Sequence, residues 1–130
     1  MGVKREMQRD MQRVVPALRV ASYASSKPFY ESLGFREQWT HQFDSGLPLF
    51  AALAFDGMEI FLSEHTGDCQ PGGLVHFYVA DVDALFDDFL EYGVTVENAP
   101  NNGLGPDLRV MSVLDPDKNR LKFLTQTHWE

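Results

Sequence analysis

A single cysteine, Cys69, stands among 130 residues, so the chain can close no intramolecular disulfide and offers no cysteine pair to a metal. Positive charge is scarce as well: 11 Lys and Arg against 19 Asp and Glu leave a net charge of -8. That balance excludes nucleic acid as the expected partner, because phosphates are bound through Lys and Arg. It is compatible with a cationic ligand, since a negative surface concentrates cations, and equally with plain solubility. No apolar run approaches the roughly 20 residues of a membrane span. The segment Met1 to Arg13 is charged and lacks the apolar stretch of a secretory signal, so a cytoplasmic location is the expectation. Cys69 lies in the linker Gly67-Asp68-Cys69-Gln70-Pro71-Gly72-Gly73, with no second Cys to form a metal pair, and reads as inert. The hydrophobic share of 44% is ordinary for one globular domain with its own core.

What the sequence does hold is a repeat. At one constant offset, Val15 aligns with Leu74, Leu18 with Phe77, Val20 with Val79, Tyr30 with Phe89 and Gly34 with Gly93. A fixed internal period is a statement about architecture. Each half reads as strand, helix and three strands. The predicted domain runs over residues 14–130, with modules at 14–65 and 74–126 and a polar extension at 1–13.

The first module predicts a strand over 14–20 and a helix over 26–33, capped by Ser25 or Ser26, with Pro28 in its first turn and Gly34 as its stop. Strands follow at 35–43, 47–55 and 58–63. In the first of these, Phe35, Glu37, Trp39, His41 and Phe43 alternate with Arg36, Gln38, Thr40 and Gln42, which places the two sets on opposite faces. The second module predicts a strand over 74–79 and a helix that starts at the N-cap Asp81. Val82, Leu85, Phe86 and Phe89 form its apolar face, and Gly93 ends it. Strands are then expected at 95–98, 108–114 and 120–125. A four-stranded sheet covered by one helix leaves its other face bare. Two such units solve this by curving around a common space. The predicted class is therefore α+β, with two tandem βαβββ modules forming curved mixed sheets around a central cleft, the kind of concavity that takes small molecules.

The quoted pattern resembles a known family. Val15-Pro16-Ala17-Leu18-Arg19-Val20, Phe29-Tyr30-Glu31-Ser32-Leu33-Gly34-Phe35, Phe61-Leu62-Ser63-Glu64-His65, Asp81-Val82-Asp83-Ala84-Leu85 and Asp115-Pro116-Asp117-Lys118-Asn119-Arg120-Leu121 are similar to the vicinal oxygen chelate (glyoxalase/bleomycin resistance/dioxygenase) superfamily. Within it the chain most resembles bleomycin resistance proteins. Those relatives often carry a Trp-Gly pair in the loop before the seventh strand, where this chain has Gly105-Pro106-Asp107.

The resemblance implies four inward positions that hold His, Gln or Glu in metal-dependent members. Here they fall on Val15, Phe61, Leu74 and Lys122, which supply no donor set for a divalent cation. No metal and no other cofactor is expected, and no catalytic residue is assigned. Aromatic residues replace the ligands: Phe61 holds one vacated position, and Trp39, Phe43 and Phe50 lie on strands that can face the same space. Each has a plain alternative as core. His41 and His76 share the parity of these positions and read either as ligand-orienting or base residues or as hydrogen-bonded cleft histidines. Ser112 completes the candidate ligand-binding set of Trp39, His41, Phe43, Phe50, Phe61, His76 and Ser112. Glu64 with His65 is the remaining metal-like pair, though neighbours on a strand point opposite ways. His128 reads as surface.

Two functions follow from the resemblance. The first is a metal-free protein that binds and sequesters a small aromatic or amphipathic, antibiotic-type molecule, cationic rather than anionic. The second is a glyoxalase- or dioxygenase-type enzyme with relocated metal ligands or acid-base chemistry at His76. A homodimer is expected, since each half leaves a free sheet edge and a cleft wall.

Overall fold

The computed structural model describes residues 12–127. Most of the N-terminal extension, and His128, lie outside them. The first module runs β1 (Ala17–Arg19), α1 (Tyr23–Leu33), β2 (Arg36–Gln42), β3 (Leu49–Phe55) and β4 (Met58–Ser63). The second repeats it as β5 (Leu74–Tyr78), α2 (Val82–Glu91), β6 (Asn98–Asn101), β7 (Leu108–Leu114) and β8 (Arg120–Gln126). Each module forms its own four-stranded sheet, ordered β1-β4-β3-β2 and β5-β8-β7-β6. Both sheets are mixed, because β1 runs parallel to β4 and β5 parallel to β8 while the other pairs are antiparallel. The α+β class and the tandem modules expected from the repeat are what the chain adopts. No described helix is long and apolar enough to cross a membrane.

The residues aligned by the repeat do equivalent work. Leu18 and Phe77 are buried on the first strand of each module, and Tyr30 and Phe89 are buried on each helix. Gly34 and Gly93 both take positive φ, 115° and 78°, where the chain leaves the helix. One continuous core joins the modules: Leu18, Tyr30, Phe35, Leu53 and Leu62 from the first meet Phe77, Phe89, Met111, Leu121 and Phe123 from the second. The Phe35 and Phe77 rings make the join directly, edge to face with centroids 5.7 Å apart.

Several local expectations are corrected. The helix of the first module starts a turn early, because Ser22, not Ser25 or Ser26, is the N-cap. Ser22 is extended, and its side chain accepts from the Ser25 amide. Ser26 is instead buried, with its hydroxyl donating to Asp117. Pro28 therefore sits inside the helix rather than in its first turn. Asp81 does cap α2 as expected, accepting from the Ala84 amide. The sixth strand is displaced to Asn98–Asn101, where it is fixed by the pairing of Asn98 with Ser112. β1 begins only at Ala17, with Val14 exposed before it.

The alternation over 35–43 is also broken. Opposite β3, Glu37 pairs with Leu53 but Trp39 pairs with Ala52, so Gln38 is an extra residue, a β-bulge. An unbroken strand would put Phe35, Glu37 and Trp39 on one face. The bulge turns Phe35 into the core at 0% exposure, lets Glu37 accept the Tyr23 hydroxyl on α1 at 2.7 Å, and sends Trp39 to the opposite face at 46% exposure.

Gly34→Ala should destabilise the fold by about 1–3 kcal/mol, because the position combines φ of 115° with a would-be Cβ only 3.1 Å from the Phe55 ring. Gly93→Ala meets no atom within 4 Å and should cost only about 1 kcal/mol of left-handed strain. Urea denaturation of both variants checks the order. Tyr30→Phe should cost about 1–3 kcal/mol in the same assay, since the buried Tyr30 hydroxyl donates to Asp115 at 2.7 Å.

Candidate ligand site

The faces of the two sheets turned away from the helices are built by register. In the first module Trp39 pairs with Ala52, Ala52 with Phe61 and Phe61 with Ala17, one row across all four strands. Large and small residues alternate along it. Ala52 is buried at 1% exposure, and its small side chain lets the Trp39 and Phe61 rings come together with centroids 5.7 Å apart. Phe50 completes the wall, 5.9 Å from Trp39 and nearly parallel to it, and 5.0 Å from Phe61. Trp39 at 46% exposure is therefore packed along one side and open on the other, which is how a stacking platform is made.

The same row in the second module is polar. Asn98 pairs with Ser112, Ser112 with Lys122 and Lys122 with His76. Through the repeat, Asn98 stands where Trp39 stands, Ser112 where Ala52 stands, Lys122 where Phe61 stands and His76 where Ala17 stands. Asn98 donates to the Ser112 hydroxyl at 3.1 Å, and that hydroxyl donates to Glu97 at 2.8 Å. Arg120 holds the same carboxylate with a two-pronged contact, 2.9 Å to each oxygen.

The structure thus divides the sequence-predicted residues between two recesses. Trp39, His41, Phe43 and Phe50 line one of about 320 Å³, together with His65 and Asp68. Ser112 lines another of about 350 Å³ with Asn98, Asn101, Leu104, Val110 and Lys122. Phe61 supports the first from behind, ring against ring. His76 is exposed beside Lys122. Phe43 is 76% exposed, with His41 at 4.6 Å on one flank and His65 at 6.5 Å on the other. His65 and Asp68 were not in the predicted set. The loop after β4 brings them in, and the Ser63 hydroxyl anchors Asp68 by donating to it at 2.6 Å. The signal for both was the Ser63-Glu64-His65 strand end followed by Asp68, without spacing to show which side chain faces the aromatics. A third recess, of about 430 Å³, lies at the module junction. Its two carboxylates are engaged internally, Asp115 by the hydrogen bonds of its own turn and of Tyr30, and Glu97 by Arg120 and the Ser112 hydroxyl.

The residues at the family's ligand positions do not fit a divalent metal. Phe61 has its ring packed on aromatics, Val15 and Leu74 carry no donor, and the Lys122 ammonium repels a cation. Glu64 is spent on structure, accepting the Tyr23 amide at 2.7 Å and the Leu49 amide at 2.9 Å. Among the described residues no three His, Cys, Asp or Glu side chains cluster to hold an ion.

Arg120 and the Ser112 hydroxyl draw the Glu97 carboxyl down to about 2. A depressed carboxyl contributes stability above its ordinary value near 4.5, lost as pH falls through about 2. Glu97→Gln should therefore be less stable than the parent at pH 6 and indistinguishable from it near pH 2, in denaturant titrations at both values.

The family model described as "Glyoxalase superfamily protein" matches residues 4–130. The uncharacterized protein YraH of Bacillus subtilis (strain 168) is 32% identical over 117 residues, 82% of this chain and 91% of that protein. A bleomycin-binding protein complexed with bleomycin superimposes with a TM-score of 0.70 at 18% identity, covering 88% of this chain and 98% of the other. TnmS3, an antibiotic binding protein from Streptomyces sp. CB03234, gives 0.72 at 23% identity, covering 88% and 96%. At those identities the structural likeness establishes the shared fold. The family model spans nearly the whole sequence, and by it this chain belongs to the glyoxalase superfamily.

Proposed function

We propose that this protein binds a small aromatic or amphipathic molecule without turnover and so sequesters it, as a metal-free, antibiotic-resistance type of binding protein. The observation that carries the reading is the aromatic wall of Trp39, Phe50 and Phe61 on an open sheet face, at a position where the family's metal chemistry has no donors. Core aromatics are covered by helices; Trp39 and Phe50 line a recess instead, with Phe61 packed behind them. That neighbours of the same fold bind bleomycin or an antibiotic supports the reading. Asp68, the carboxylate lining the recess, together with the net charge of -8, favours a cationic group on the ligand at this face.

In one chain the aromatic recess takes its lining from the first module and the polar recess from the second. A homodimer in which the aromatic face of one copy meets the polar face of the other would close each into a cleft. Exposed Leu74, Tyr78 and Leu104 on the second module supply apolar surface for such a contact. The location proposed with this function is the cytoplasm.

A thermal-shift screen against cationic and aromatic antibiotics identifies ligands, and Trp39→Ala tests the wall. Lost stacking of about 0.5–1.5 kcal/mol, with lost burial added, should weaken binding by roughly tenfold or more in calorimetric titration. Unchanged affinity in a folded variant would overturn the aromatic-wall reading. Sedimentation should show a dimer at micromolar concentration.

A further inference from the structure

We propose that Lys122 is an oxyanion-binding point, so that the ligand of the polar face carries a carboxylate, sulfonate or phosphate group. The inference rests on the reading that these faces bind a small molecule, and it names that molecule's chemistry. Lys122 is half-buried on β8 and lines the recess of about 350 Å³ beside Ser112 and Asn98. An ammonium carries three donors, and half-burial costs solvation unless acceptors replace the water. No hydrogen bond or ion pair engages the Lys122 ammonium among the described residues, whereas Arg13, Lys27, Arg109 and Arg120 each have a carboxylate partner.

The obvious internal partner is already occupied. Both Glu97 oxygens are taken by Arg120, and one of them also by the Ser112 hydroxyl. Glu97 is near enough to feel the lysine charge but makes no contact with it. The Asn98 amide has two N–H groups and, among the described residues, donates to Ser112 Oγ alone, which leaves a second donor at the same wall. Donors lining a recess, with the neighbouring carboxylate already held by Arg120 and the Ser112 hydroxyl, are the arrangement that accepts an anion from outside. In the proposed dimer, where the aromatic face of one copy meets the polar face of the other, Asp68 and Lys122 together suit an amphoteric aromatic molecule, anionic at the Lys122 end.

Two dyes that share one ring system test this: anilinonaphthalene sulfonate, and uncharged N-phenylnaphthylamine, which lacks the sulfonate. Fluorescence titration of the wild type should show the sulfonate dye bound about fivefold or more tighter. In Lys122→Met that preference should vanish through weaker binding of the sulfonate dye alone, with the uncharged dye changed less than twofold. Lys122→Arg should keep the preference, which separates the charge from the fold. If wild type shows no preference for the sulfonate dye, or Lys122→Met retains it, the inference is overturned. Trp39→Ala distinguishes the two readings: with the two faces joined in the proposed dimer it should weaken both dyes alike, and if it weakens neither while Lys122→Met still acts, the aromatic wall does not share the dye site and the oxyanion point stands on its own.

Discussion

The placement of one module against the other depends on one small turn. Asp115 and Asn119 bracket the connection between β7 and β8, and both are buried. One Asp115 oxygen accepts the Asp117 and Asn119 amides; the other accepts the Asn119 side chain and the Tyr30 hydroxyl of the other module. Asn119 donates to the Arg19 carbonyl at the end of β1 and accepts the Gly73 amide at the end of the linker. Asp117 accepts the Ala21 amide. A carboxylate buried this way is tolerable only when its acceptor sites are filled, and among the described residues no buried polar side-chain atom lacks a partner. Burial and the adjacent Asp115 charge hold the Tyr30 phenol well above its usual range, so it stays a donor at every physiological pH. The turn thus fixes where the second sheet stands relative to the first strand and helix of the first module, and the Phe35–Phe77 contact fills the space between.

That constraint explains which parts of the fold were legible. The repeat is written in residues that the junction and the core require: Leu18 and Phe77, Tyr30 and Phe89, Gly34 and Gly93. Hydrophobic identity and positive φ leave marks at single positions, and such marks survive in one sequence. The helix N-cap was less legible because Ser22, Ser25 and Ser26 are chemically alike, and only the backbone decides which is extended. The bulge at Gln38 left no mark at all. The alternation of Phe35 through Phe43 reads evenly, and the extra residue is visible only against the partner strand.

The candidate site was legible as a composition and not as a place. Trp39, Phe50 and Phe61 come from three strands, and what unites them is the register that sets Ala52 between Trp39 and Phe61. No local pattern encodes a large–small–large row across strands. The polar row is hidden in the same way: Asn98, Ser112, Lys122 and His76 become neighbours only through three separate strand pairings. His65 and Asp68 enter through a loop whose path the sequence does not specify.

The two rows also show how one scaffold changes its chemistry at small cost to its fold. The equivalent positions Phe61 and Lys122 each pair with a first strand on one side and a third strand on the other. Their side chains point away from the shared core, where Leu62, Leu121 and Phe123 are fully or almost fully buried. Stability is therefore set on one face of each strand, and the proposed ligand chemistry lies on the other, because side chains alternate along it. A substitution at Phe61 or Lys122 can exchange a donor for a ring or an ammonium without entering the core. A fold whose working face is uncoupled from its packing face can host metal chemistry in some members and binding alone in others, and the side chains of the open rows, rather than the fold, are where this chain's function has to be read.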